Sequence, residues 1–227
     1  MCGRYVLSAQ PEAVQQEFHL ADIPILAPRF NVAPSQPVSI ITNAAPSELT
    51  IVQWGLLPSW AKDPKMAFKM INARSETAHE KPSYRSAFKY RRCLIPTTGF
   101  YEWVKADGGK QPYFIHRTDK DVFSFAGLWE IWNSPQGEEV WTCTILTTDA
   151  NDKIQHLHHR MPVMLEGDAR DAWLDDASNT DELRAILQPF DSDKMDYYPV
   201  SKSVNNVRND NPTLLERDEP PQQQSMF

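Results

Sequence analysis

Eighteen prolines punctuate this chain of 227 residues from Pro11 to Pro221, and no single linker splits it. Proline lacks the N–H that a helix or ladder needs and restricts the residue before it, so prolines this frequent favour short elements. Short runs rich in Val, Ile, Thr and aromatic residues recur along the chain: 37–42, 49–54, 93–96, 100–104, 112–116, 122–127, 140–147 and 161–165. These read as strands. Helix candidates are fewer. Residues 11–20 have Pro11 in the first turn and Val14 and Phe18 on one face, 75–89 is a second candidate, and 168–187 reads as two pieces with Thr180 as the N-cap of the second. Strands outnumber helices without regular βαβ alternation. The expectation is a single α+β domain over residues 1–216, with a mostly antiparallel β-barrel-like or sandwich core and a few flanking helices. Residues 217–227 (RDEPPQQQSMF) read as a disordered tail.

Composition narrows the function classes. With 41% hydrophobic and 23% charged residues, the chain has the balance of a globular protein. It has no apolar run of membrane-spanning length and no secretory apolar stretch after Met1, so a cytoplasmic or nucleoid setting is expected, with no membrane partner. Cys2, Cys93 and Cys143 form neither a disulfide framework nor a C-x-x-C zinc pattern. Cys93 and Cys143 sit in apolar runs and read as inert core residues.

The net charge of −7 argues against a generally basic nucleic-acid binder. The charge is uneven, however. Residues 1–164 hold 17 basic and 16 acidic residues, and residues 165–227 hold 6 and 14. Within 62–92 nine basic residues face three acidic ones, enough for a local anion-binding surface, although a merely solvated face is the commoner explanation of such a run.

Four positions carry candidate chemistry. An initiator Met is normally removed when the next residue is small, which would leave Cys2 at the N-terminus. An N-terminal Cys joins an α-amine (pKa about 7.7) to a thiol (about 8.5) on adjacent carbons. With an aldehyde the amine forms a Schiff base and the thiol closes a thiazolidine; with an acyl group the thiolate is the nucleophile and the amine its base. Glu102 lies between Tyr101 and Trp103, where desolvation suits a general acid–base, unless strand alternation turns it outward. Asn72 offers both a donor and an acceptor, or else serves as a turn or cap. His158 can move protons near neutral pH, or be an ordinary surface or core histidine. His156, His158 and His159 have no Asp or Cys at ligand spacing, so neither a metal nor another cofactor is expected.

Nine blocks in order, MCGRYVLS, RFNVAPSQ, WGLLPSWAK, INARSET, GFYEWVK, FAGLWE, LTTDAN, LHHRMPVML and YPVSKSVNNVRND, resemble the SOS response-associated peptidase (SRAP) family from Cys2 to about residue 210. The resemblance implies a monomeric abasic site processing protein that binds single-stranded DNA in a positively charged channel. It implies that Cys2 cross-links the ring-opened sugar through a thiazolidine and that Asn72 positions sugar and nucleophile. Glu102 is then the acid–base carboxylate, and His158 assists ring opening and Schiff-base chemistry. Here Leu157 precedes that histidine and a second one, His159, follows it. Arg4, Arg74 and Arg160 resemble the family's phosphate-binding arginines, and Trp60 with Pro58 its apolar wedge; Trp54 reads instead as core. The peptidase label implies removal of Met1 or release of the adduct, beside lyase-like chemistry. Two other classes fit parts of the pattern. Class II amidotransferases, which are N-terminal nucleophile hydrolases, also begin Met-Cys-Gly, and a non-catalytic single-stranded DNA-binding module would make Cys2 incidental. A conventional Cys-His-Asp protease is a third reading.

Overall fold

The computed structural model describes residues 2–106 and 109–218. In chain order the elements are β1 (Tyr5–Leu7), α1 (Pro11–Phe18), β2 (Arg29–Val32), β3 (Pro37–Thr42), β4 (Ala45–Trp54), β5 (Asn72–Arg74), α2 (Ser75–Ala78), α3 (Arg85–Tyr90), β6 (Arg92–Thr97), β7 (Gly99–Ala106), β8 (Gly109–Arg117), β9 (Phe123–Asn133), β10 (Glu139–Asp149), β11 (Arg160–Pro162), β12 (Met164–Leu165), α4 (Gly167–Leu174), α5 (Thr180–Ala185) and β13 (Met195–Pro199). The fold is α+β, as the run of short strands predicts.

Five strands close a ring in the order β10, β4, β3, β6, β9 and back to β10. Closure removes most free edges, so strands that short can share one core. Pairing is antiparallel except where β4 and β5 run parallel to β10. β9 and β10 exceed their expected lengths because each serves more than one neighbour on an edge. β10 pairs with β9 along Glu139–Ile145 and then with β11 at Thr147–Asp149, while β9 pairs with β12 at Ser124 and Phe125. The single strand expected at 161–165 is therefore two short ones, docked on different partners.

The second sheet, ordered β13-β8-β7-β1-β2, is antiparallel throughout. Its residues alternate between two apolar clusters. Tyr5, Leu7, Phe100 and Ile115 join the main core, whereas Val6, Tyr101 and Phe114 pack with Val200, Val204 and Leu214. Both faces are covered, so alternation no longer exposes every second side chain. The chain crosses from the barrel to this sheet between Thr97 and Gly99. There the Thr97 hydroxyl donates to Val6 O (2.9 Å) and the Thr98 N–H to the same oxygen (2.8 Å). A Cβ on Gly99 would lie 2.7 Å from Ile115 O and collide with the Phe114 ring, so only glycine lets β7 approach β8 here.

Other expectations need correction. The helix expected over 75–89 is two short ones, α2 and α3, because Pro82 interrupts it. The N-cap of α5 is Asn179, not Thr180. Asn179 Oδ1 accepts from the N–H groups of Asp181 and Glu182, and Glu182 reaches back to the Asn179 N–H, closing a capping box. Arg217, the first residue of the expected tail, pairs with Val200 and lies 4.9 Å from the Tyr198 ring. The tail from residue 219 is outside the described residues.

The basic run over 62–92 divides into surface and core. Lys62, Lys65, Lys69, Arg74, Lys81, Arg85 and Lys89 are exposed. Arg92 is fully buried: its guanidinium donates to Trp173 O (2.7 Å), Phe88 O (3.3 Å), Lys89 O and Asp175 O (2.9 Å), tying α3 and α4 to the barrel. Arg92→Met strands those carbonyls in a dry interior. It is expected to cost about 3 kcal/mol or more, a fall of roughly 6–12 °C in the thermal unfolding midpoint measured by circular dichroism.

Candidate functional site

The four candidate residues come from elements that meet at the junction of the two sheets. Cys2 leads into β1, whose pairing with β7 continues through the Tyr101 N–H to Arg4 O (3.0 Å). The Cys2 side chain is fully buried in the main core, and its Sγ lies 3.8 Å from Arg4 O. Asn72, at the start of β5, donates from Nδ2 to Cys2 O at 2.7 Å. That bond joins residues seventy positions apart and fastens the start of the chain to the barrel. Asn72 Oδ1 is buried and accepts no hydrogen bond among the described residues. An unsatisfied buried amide oxygen of this kind is costly, and it stands as an acceptor beside Cys2.

Glu102 is 4% exposed. It follows Phe100 by two positions on β7, so it shares the face turned toward the main core and is not an outward-pointing strand residue. Its carboxylate acts on two neighbours. Burial, reinforced by the Glu102 charge, pushes the Cys2 thiol well above the usual thiol range. Burial also lowers the His158 imidazole below the ordinary histidine value of about 6.5, with Glu102 opposing that shift. His158 lies between β10 and β11. Its Nδ1 has the Arg160 N–H at 3.0 Å and the Arg160 carbonyl at 3.1 Å, one suited to each protonation state of that nitrogen, and its ring stacks on His159 with centroids 4.4 Å apart.

The arginines are placed differently. Arg74 follows Asn72 by two on β5, shares its face and is exposed, and its side chain has no hydrogen bond or ion pair among the described residues. Arg4 is half-buried; its Nη1 donates to Asn31 Oδ1 (2.7 Å) and Val204 O (2.9 Å), and its guanidinium lies 5.7 Å from the Trp103 ring. Arg160 is buried. Its Nη1 and Nη2 pair with Glu76 (2.7 and 2.8 Å), Nη1 with Asp149 (2.6 Å), and Nη2 donates to Thr147 O (2.6 Å). Both of its terminal nitrogens are filled from within the protein. What Arg160 gives the site directly is the main chain that grips His158.

Trp60 is 55% exposed, while Pro58, two residues earlier, is buried. Phe68 is 64% exposed on the turn that follows, near Lys62, Lys65 and Lys69. Trp54 is core, with its Nε1 donating to Ile71 O (2.9 Å), and Cys93 and Cys143 are buried. Among the described residues no group of three or more His, Cys, Asp or Glu side chains could hold a metal ion, and no helix is long and apolar enough to cross a membrane.

Two contributors escaped the sequence reading. Tyr84, whose hydroxyl donates to Asn72 O (3.3 Å) and is pushed up to about 12 by burial, had no local signal. Asn31 did have one, as a lone amide in the apolar run RFNVA.

At the junction of a closed barrel and a second sheet, the structure thus brings Cys2 against Asn72 and near Glu102, and His158 near the same Glu102. The SOS response associated peptidase (SRAP) model matches residues 1–207, and the chain belongs to that family. The chain is 43% identical over 223 residues to the abasic site processing protein YoqW of Bacillus subtilis, covering 95% of this chain and 99% of that one. It is 41% identical over 189 residues to the abasic site processing protein HMCES of Gallus gallus, covering 72% of this chain and 56% of that one. A crystal structure of a protein from Bacteroides thetaiotaomicron is similar with a TM-score of 0.85 at 31% identity, covering 96% of this chain and all of that one.

Proposed function

We propose that this chain, acting as a monomer, processes abasic sites in single-stranded DNA by covalent capture and thereby shields them from strand cleavage. Removal of Met1 frees the Cys2 amine. The amine attacks the aldehyde carbon of the ring-opened sugar, water leaves, and a Schiff base forms. Cys2 Sγ then adds to the same carbon while its proton passes to the nitrogen, closing a thiazolidine with net loss of one water. A Schiff base is also the stage from which lyase-like strand cleavage proceeds, and ring closure by the thiol diverts it.

The observation that carries this reading is the Asn72 Nδ2–Cys2 O bond of 2.7 Å beside the unpartnered Asn72 Oδ1. The bond holds the main chain of the nucleophile, and the orphaned oxygen can accept from the sugar hydroxyl or the attacking amine. Glu102 serves in ring opening and in proton transfer at the amine. His158, neutral at pH 7 and gripped by the Arg160 main chain, relays protons to the sugar oxygen. Arg74 and Arg4 hold phosphates beside the reacting sugar. Arg160 was expected to do the same, but in this reading it acts through the fixed position of His158. Trp60, with Pro58, stacks on a base and parts the strands, a contact worth about 1–3 kcal/mol and indifferent to sequence.

Intact mass spectrometry before and after exposure to an abasic oligonucleotide tests two steps together. The expected results are a chain lacking Met1, then a species equal to that chain plus the oligonucleotide less one water. Full cross-linking by a chain that retains Met1 would overturn the amine mechanism.

A further inference from the structure

We propose that Asn31 is a positioning residue for DNA: it locks one edge of the Arg4 guanidinium and so leaves the other edge aimed at a phosphodiester next to the captured sugar. The inference rests on the reading of Arg4 as a phosphate ligand and deepens it. Asn31 is completely buried on β2. Its Oδ1 accepts from Arg4 Nη1 (2.7 Å), and its Nδ2 donates toward Val204 O (3.2 Å), Asn206 O (3.2 Å) and Asn209 O (2.7 Å). Val204 O also accepts from Arg4 Nη1 (2.9 Å), so both protons of that nitrogen are used.

The same segment fixes the guanidinium from its face. Trp103, which lies against Arg4, donates from Nε1 to Asn205 Oδ1 (2.7 Å). Arg4 Nε is buried and has no partner among the described residues, an unmet donor that a phosphate oxygen would satisfy, and Nη2 makes no hydrogen bond among them. The Nε–Nη2 edge is the planar fork that matches two phosphate oxygens. Arg4 is two residues from Cys2, and its carbonyl is held by the Tyr101 N–H (3.0 Å), so the arginine is anchored within the segment that carries the nucleophile. An amide is the side chain that can do this. Its oxygen accepts from the cation while its NH₂ satisfies carbonyls, whereas a carboxylate would repel those carbonyls and neutralise the arginine.

The test measures cross-linking rate against the concentration of an abasic single-stranded oligonucleotide for the parent, Asn31→Ala, Arg4→Ala and the double variant. Asn31→Ala should raise the half-saturating concentration about tenfold, with the effect falling there and not on the maximal rate. The double variant should be no worse than Arg4→Ala, because the two act as one unit. Asn205→Ala, at an exposed position, is the second variant should Asn31→Ala fail to fold; it should raise half-saturation by about twofold to threefold, and only when Arg4 is present. Additive effects in the double variants, or a loss confined to the maximal rate, would overturn the positioning role. Unchanged half-saturation in Arg4→Ala would overturn the phosphate reading itself, and that result is visible without reference to Asn31.

Discussion

Cys2→Ala is expected to reduce covalent attachment to abasic DNA by at least about a thousandfold, because it removes the only group able to convert a reversible Schiff base into a ring. A denaturing gel with an abasic oligonucleotide reads the effect directly. Cys2→Ser separates the two functional groups of the residue. It keeps the amine, so it should give little adduct on its own but a stable one when borohydride reduces the Schiff base. Adduct yields equal to the parent in Cys2→Ala would end the proposed mechanism. A buried thiol whose ionisation is opposed by burial and by Glu102 is also a poor general nucleophile. Iodoacetamide should therefore modify Cys2 slowly in the folded protein and rapidly in urea. The same burial reserves the thiol for an electrophile already tethered to its own amine.

Glu102→Gln should lower the rate of adduct formation by about 10²–10⁴, the usual range for loss of a general acid–base. It should also move thiol reactivity the other way. The Glu102 charge raises the Cys2 thiol, so its removal lets the thiol ionise more readily and alkylate faster than in the parent. A slower cross-link together with a faster alkylation distinguishes a proton-transfer role from simple damage to the fold, which would leave the thiol exposed but would also lower the melting temperature. The pH profile adds a third readout through His158. Its imidazole is held below 6.5, so the neutral form persists through the ordinary histidine range. The free Cys2 amine, with a pKa of about 7.7, imposes its own decline as pH falls, so the His158 contribution is read as the ratio of the parent rate to that of His158→Gln, which should hold steady as pH falls toward 6.5 and decline only below it. A ratio that already declines above 7 would place the titrating base elsewhere.

How much of this was legible beforehand depends on the range of the interaction. α1 was readable because Val14 and Phe18 are four apart, and both are buried. The cores of β3, β6, β7 and β10 were readable because β-branched and aromatic residues cluster there. The split of 75–89 into α2 and α3 is written in Pro82, which lies between them. β1, β2, β5 and β13 were not anticipated as strands: each is three to five residues long and is held by its neighbours, not by its own propensity. The parallel pairings of β10 with β4 and β5 were equally hidden, since nothing local sets the direction of a long-range partner.

The sequence by itself determined the class of fold and the membership of the chemical group. Short proline-bounded runs exclude long helices, and the ordered blocks carrying Cys2, Asn72, Glu102 and His158 single out one family. Only the tertiary structure decided what surrounds those groups. It turned Glu102 inward by covering both faces of β7, buried the Cys2 thiol, left Asn72 Oδ1 without a partner, and divided three similar arginines into an exposed Arg74, a half-clamped Arg4 and a carboxylate-locked Arg160. The physical reason is that residue type is a local property, whereas desolvation and hydrogen-bond satisfaction depend on what other parts of the chain bring alongside. Asn31 and Val204, more than 170 residues apart, meet only when the fold closes.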